Sequence, residues 1–217
     1  MNWPKDLKIK VKQPLKDKTH FRIGGPAQFF SQPEDSLGLS AVISLAKRNK
    51  IPVFILGAGS NLLISDKGVK GLVISLSSPY FKRIYLKDGC IEAGSAGTLG
   101  ELIKFAQAKS LQGLEFLAGI PATLGGALVM NAGCWGGNIG NLVKEVEVMD
   151  YSGNIKILNC NDIKFAYRKS SLAKYIILSA VLKLKKGSRL QIARNINRYL
   201  SARRKTQDLT WPNAGCI

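Results

Sequence analysis

GLEFLAGIPATLGGALVMNAGCWGG, residues 113 to 137, sets seven glycines (Gly113, Gly119, Gly125, Gly126, Gly133, Gly136 and Gly137) into one short stretch. Ordering a glycine costs more backbone entropy than ordering any other residue. Such density therefore implies tight turns, or bare backbone brought close to a partner. Gly119-Ile120-Pro121 followed by Ala122-Thr123-Leu124-Gly125-Gly126 reads as a loop with proline near the start of a short helix. Its small residues would let a flat ring lie against the main chain. Close helix packing is the alternative for Gly125 and Gly126, but it leaves the rest of the run unexplained.

A second glycine loop, Gly57-Ala58-Gly59-Ser60-Asn61, follows the apolar run Val53-Phe54-Ile55-Leu56. Consecutive backbone N–H groups there, with the Ser and Asn side chains, could cradle pyrophosphate oxygens. The loop is not a dinucleotide fingerprint, because the third glycine is misplaced and Leu62-Leu63-Ile64-Ser65 looks extended instead of helical. It lacks the Gly-Lys-Ser/Thr of a P-loop. An ordinary turn between strands accounts for it equally well when it is taken alone. Paired with the longer segment, it suggests a bulky phosphate-bearing ligand gripped from two sides.

Around these loops, Val53–Leu56, Leu72–Leu76, Val146–Met149, Ile155–Leu158 and Ile176–Leu184 read as strands. Ser36–Asn49 and Thr98–Lys109 read as helices, the latter with Leu99, Leu102, Ile103 and Ala106 at helical spacing. Ser188–Lys205 is a third, with Ala193, Ile196 and Leu200 on one side. Helices and strands alternate without strict βαβ order, which predicts an α+β fold. The turn Ser77-Ser78-Pro79 is the candidate boundary. It gives a first lobe at 1–77, a second at 78–187, and a basic helix with the start of a further domain at 188–217.

The chain has 217 residues, enough for a sizeable core, and a formal charge of +18. From Tyr151 onward, fourteen Lys and Arg stand against Asp162 and Asp208, a net of +12. Nucleic acid is the first partner such a surplus brings to mind. However, these residues are not interleaved with an aromatic stacking platform. The better reading is a solvated basic face that also attracts an anionic small molecule. The basic N-terminus lacks an apolar segment behind it, and the longest apolar stretch, Tyr175 to Leu184, is about half a membrane span. Together with four scattered cysteines and no CxxC pair, this predicts a cytoplasmic protein with reduced thiols and no membrane partner.

His20 is the sole histidine, which excludes a His-based triad or multi-His metal site within the chain; no metal is expected, and His20 reads as structural. Arg168, flanked by Tyr167 and Lys169-Ser170, could clamp a carboxylate or phosphate, although a surface arginine is the commoner reading. Cys216 could serve as nucleophile or proton donor, although most lone cysteines are neither.

Five segments read together resemble the UDP-N-acetylenolpyruvoylglucosamine reductase family. They are Thr19-His20-Phe21-Arg22-Ile23-Gly24-Gly25-Pro26-Ala27, Leu56 to Leu63, Gly113 to Gly137, Tyr167-Arg168-Lys169-Ser170 and Pro212-Asn213-Ala214-Gly215-Cys216, in family order. The resemblance implies a two-lobed FAD-binding fold of the vanillyl-alcohol-oxidase (PCMH) type with the flavin between the lobes. It implies pyrophosphate binding by Gly57, Ala58, Gly59, Ser60, Asn61 and Leu62. The flavin would be lined by Gly119, Ile120, Pro121, Ala122, Thr123, Gly125, Gly126, Asn131, Ala132 and Gly133. NADPH would supply the hydride and a UDP-sugar enolpyruvyl ether would receive it. Tyr167 and Arg168 would bind substrate, with Arg168 stabilising the enolate-like charge. Cys216 stands where many members carry a serine proton donor. The family continues with a substrate-binding domain bearing a catalytic glutamate, absent here, and Asp208 stands where proline is common. Weak or no turnover is the expectation for the chain alone. A flavin-binding remnant and a cofactor-free basic protein are the competing readings, and the pattern assigns no oligomeric state.

Overall fold

The computed structural model describes residues 3–4, 7–207 and 210–211. β1 (Lys10–Pro14) pairs antiparallel with β2 (Pro26–Ser31); α1 (Ser36–Arg48) then leads to β3 (Val53–Leu56) and β4 (Val69–Ser75). These strands form one sheet of order β1-β2-β4-β3, in which β2, β4 and β3 run parallel. After α2 (Pro79–Lys82) come β5 (Ile84–Lys87), β6 (Cys90–Gly94), α3 (Leu99–Ala108), β7 (Leu111–Gln112) and α4 (Leu124–Val129). The hairpin β8 (Gly133–Cys134) and β9 (Gly137–Asn138) precedes β10 (Val143–Met149) and β11 (Ile155–Asn159). A second hairpin, β12 (Phe165–Ala166) and β13 (Lys169–Ser170), precedes β14 (Ile176–Leu182), β15 (Lys185–Lys186) and α5 (Arg189–Thr206). The second large sheet is antiparallel throughout, in the order β11-β10-β14-β6-β5.

The expected α+β architecture is present, and helix spacing explains how the two sheets are tied together. Leu39, Val42, Ile43 and Ala46 fall on one face of α1, and Asp35 caps the helix by accepting from the Gly38 N–H at 2.8 Å. That face packs with Leu72 and Ile74 of β4 and also with Met149 of β10 and Ile176 and Leu178 of β14. The central strand β14 is buried along nearly its whole length because it is covered on both sides. Ala180 and Leu182 belong to the larger core built with α3 and α4. On α5, Ile192 is buried, while Ile196, Tyr199 and Leu200 pack against that larger core.

α3 begins with a complete capping box. Glu101 N–H donates to Thr98 Oγ1 at 3.2 Å, while Thr98 N–H and Oγ1 donate to Glu101 Oε2 at 2.9 and 2.7 Å. These bonds, the Thr98 hydroxyl foremost, hold the Glu101 carboxyl below its ordinary pKa. Thr98→Ala should cost about 1 kcal/mol of stability, read as a lowered Tm near neutral pH. A carboxylate with a depressed folded pKa contributes above its unfolded value and loses that contribution as pH falls through the folded one. The deficit of Thr98→Ala should therefore shrink in acid.

Candidate functional site

The two glycine loops meet. Gly57, directly after β3, lies so close to the start of α4 that a Cβ on it would stand 2.8 Å from Thr123 Oγ1. Gly59 adopts φ +66°, and a Cβ there would run into the Lys18 carbonyl. The His20 N–H donates to the Gly59 carbonyl at 3.2 Å, pinning the 15–22 segment beside the loop. On the other side, Thr123 caps α4, its Oγ1 accepting from the Gly126 N–H at 3.3 Å. The main chain of this second loop is tied to the start of α3. Leu99 N–H donates to the Ala122 carbonyl at 3.0 Å, Leu124 N–H to Gly97 at 2.8 Å, and Gly125 N–H to Ser95 at 2.8 Å. The Ser95 hydroxyl is buried without a partner among the described residues.

A cleft of about 810 Å³ opens between them, a volume suited to a large cofactor. Leu56, Gly57 and Ala58 form one wall and Gly119 and Pro121 another. Lys18, Arg22 and Arg203 bring positive charge to it, with Asp17 the acidic residue among the described lining residues. Arg203 lies so close to Gly119, whose φ is +78°, that a Cβ there would stand 2.8 Å from its Cδ. Its Nη1 donates to Gln207 Oε1 at 3.0 Å, whereas its Nε is buried with no acceptor among the described residues. Bare backbone, clustered cations and this unmatched donor fit a cofactor carrying a pyrophosphate.

Of the expected cofactor residues, Gly57, Ala58, Gly119 and Pro121 line the cleft. Thr123 and Gly125 are brought in behind them through the contacts above. Gly59 is buried under the 15–22 segment, and Ser60, Asn61 and Leu62 lead away from the cleft lining. Residues 62–65, expected to be extended instead of helical, form neither helix nor strand. Asn131 and Ala132, only 9% and 7% exposed, lie at the far end of α4. The sequence reading missed Lys18, Arg22 and Arg203. A signal existed for Arg203, since it extends the spacing of Ile192, Ile196 and Leu200 along α5 and so sits on the packed face. His20 lines the cleft too, so the structural reading accounts for its backbone alone.

Arg168 stands apart from the cleft wall. Tyr167 and Arg168 form the two-residue turn between β12 and β13, with Arg168 at φ +55°. A non-glycine residue held in the left-handed region is strained, and such strain gathers at functional sites. Its Nη1 donates to the Gly133 carbonyl at 3.3 Å, and its guanidinium lies 5.4 Å from the centre of the Tyr167 ring. Both side chains face solvent, Tyr167 at 87% exposure. Cys216 lies outside the described residues. Among those described, no group of three or more potential metal ligands forms, and no helix is long and apolar enough to cross a membrane.

Residues 27–159 match a family described as an FAD binding domain. The fold recurs in cholesterol oxidase from Brevibacterium sterolicum, with a TM-score of 0.67 over 85% of this chain at 14% identity. The class is therefore a two-lobed FAD-binding fold. Similarity then narrows to UDP-N-acetylenolpyruvoylglucosamine reductases. The enzyme from Clostridioides difficile is 42% identical over 95% of this chain and 68% of its own length. That from Heliobacterium modesticaldum is 41% identical over 94% and 66%. The crystal structure of the Thermus caldophilus enzyme superposes with a TM-score of 0.81 at 33% identity, covering 96% of this chain and 72% of that one. The chain belongs to the UDP-N-acetylenolpyruvoylglucosamine reductase family, and it spans about two thirds of the length of these curated relatives.

Proposed function

We propose that this chain is the flavin-binding part of an NADPH-dependent reductase acting on UDP-N-acetylglucosamine enolpyruvate, giving UDP-N-acetylmuramate for peptidoglycan synthesis in the cytoplasm. The apposition of Gly57 and Thr123 carries the reading, because it turns two sequence-distant glycine loops into facing walls of one cleft. FAD, when bound, supplies a two-electron relay that takes hydride from NADPH and passes it to the enolpyruvyl double bond. Gly57 and Ala58, the residues of this loop that line the cleft, would offer main-chain N–H groups to the pyrophosphate, and Lys18, Arg22 and Arg203 would offset its charge. The loop from Gly119 to Thr123, with Gly125 and Gly126, presents bare backbone to the ring system.

Hydride addition at the terminal carbon leaves negative charge next to the substrate carboxylate. Arg168 holds a positive charge there before the reaction begins, so little reorganisation is needed as charge develops. Tyr167, at the same hairpin tip, contacts the substrate. The adjacent carbon must then receive a proton, and family resemblance assigns that donation to Cys216. A thiol, with a reference pKa of about 8.5, is a stronger acid than a serine hydroxyl.

Anaerobic mixing of the FAD-loaded chain with NADPH and then with the enolpyruvyl substrate tests this reading. Bleaching of the flavin bands by NADPH is expected, followed by their return with the substrate, slow in the chain alone. Bleaching with no return on substrate would support the alternative of a flavin-binding remnant without the reductase reaction.

A further inference from the structure

α4 ends in a Schellman turn whose left-handed position is Asn131, at φ +43°, where glycine is the usual occupant. The Ala132 N–H donates to the Ala127 carbonyl at 2.7 Å and the Asn131 N–H to Leu128 at 3.2 Å. The conformation alone favours glycine, so the carboxamide needs another reason to be there. Its Nδ2 donates to the Ala166 carbonyl at 3.1 Å, and its Oδ1 accepts from the Gly140 N–H at 3.1 Å. The two partners fix which end is which, since a carbonyl demands the donor and an N–H the acceptor. Among residues that tolerate the left-handed region, only Asn offers both on one short side chain.

Ala166 ends β12, directly before Tyr167 and Arg168. The opposite strand is tied to the same helix end, because Ser170 Oγ donates toward the Leu128 and Val129 carbonyls at 2.9 and 3.0 Å. Both legs of the hairpin are thus anchored on the C-terminal end of α4. The N-terminal end of this short helix, at Thr123, abuts Gly57 on the cofactor cleft. We infer that Asn131 is a positioning residue for Arg168. By fastening β12 to the end of α4, it sets the arginine at a fixed place relative to the cofactor cleft. The inference rests on the role proposed above for Arg168, and it departs from placing Asn131 on the flavin.

Asn131→Gly isolates this role, because glycine keeps the turn and removes both side-chain bonds. Limited trypsin digestion of the folded chain, followed at the Arg168–Lys169 bond by mass spectrometry, reads the opening of the hairpin. Cleavage should accelerate by about tenfold or more in Asn131→Gly, and also in Asn131→Asp, which keeps the acceptor for Gly140 but sets an oxygen against the Ala166 carbonyl. In single-turnover reoxidation by the enolpyruvyl substrate, Asn131→Gly should lower the rate constant more than it raises half-saturation. It should add nothing further in an Arg168→Ala background. Unchanged cleavage together with weakened FAD binding would overturn the inference and return Asn131 to the cofactor. If Arg168→Ala itself leaves reoxidation unchanged, it is the role of Arg168 that fails. The cleavage result then still decides whether Asn131 holds the hairpin.

Discussion

Gly57→Ala should weaken FAD binding by about tenfold or more, and Thr123→Ala should restore most of it in the double variant. The added methyl would stand 2.8 Å from Thr123 Oγ1, with Thr123 Cβ the next atom at 4.0 Å. One side chain therefore accounts for the clash, relieved by parting the loops or by turning the Thr123 hydroxyl off its cap on Gly126. Overpacking of this kind costs about 1–3 kcal/mol, and it displaces the two loops that form the walls of the cleft. Removing the hydroxyl and methyl of Thr123 clears the space. Its own penalty is the lost α4 cap, about 1 kcal/mol of stability, which thermal unfolding of Thr123→Ala alone would register. Titration of the apoprotein with FAD measures the coupling. Additive losses in the double variant would mean that the loops do not act as opposed walls.

Arg168→Ala should slow reoxidation of the reduced flavin by the enolpyruvyl substrate by about 10²- to 10³-fold, the usual cost of removing one preorganised charge-stabilising group. Reduction by NADPH does not use that charge and should change little. Both residues carry a Cβ at φ +55°, so the substitution leaves the turn as strained as before. Arg168→Lys should fall between the two, since an ammonium keeps the charge but cannot grip a carboxylate in two places. Rapid-mixing absorbance of each half-reaction separates these effects. Equal slowing of both would place Arg168 in general cofactor handling.

Much of this fold was legible. α1, α3 and β3 follow from apolar spacing closed by Asp35, Thr98 and Gly57. β1 was not, because KVKQP is a polar strand at the sheet edge, with no buried face to impose alternation. The β5–β6 hairpin carries a strong signal in Asp88-Gly89, both at positive φ, which the strand reading passed over in favour of apolar runs. At the site, the glycine loops announced a close approach of backbone. Their meeting, across some sixty residues of chain, depends on α4 and the sheets, and no local pattern encodes that. Arg203 was hidden for a related reason. A basic residue in a basic helix reads as solvated until its neighbour, Gly119, is known. Asn131 looked like part of a flavin-lining turn, whereas its polar atoms are bonded to Ala166 and Gly140.

Every step proposed for this chain depends on FAD held in the cleft between the 57–59 and 119–123 loops. The visible absorbance spectrum of the purified protein, as isolated and after addition of FAD and removal of the excess, tests it most directly. Flavin bands that stay with the protein and bleach on anaerobic addition of NADPH are the predicted result. A protein that remains colourless after reconstitution would mean that the cleft is not a flavin site.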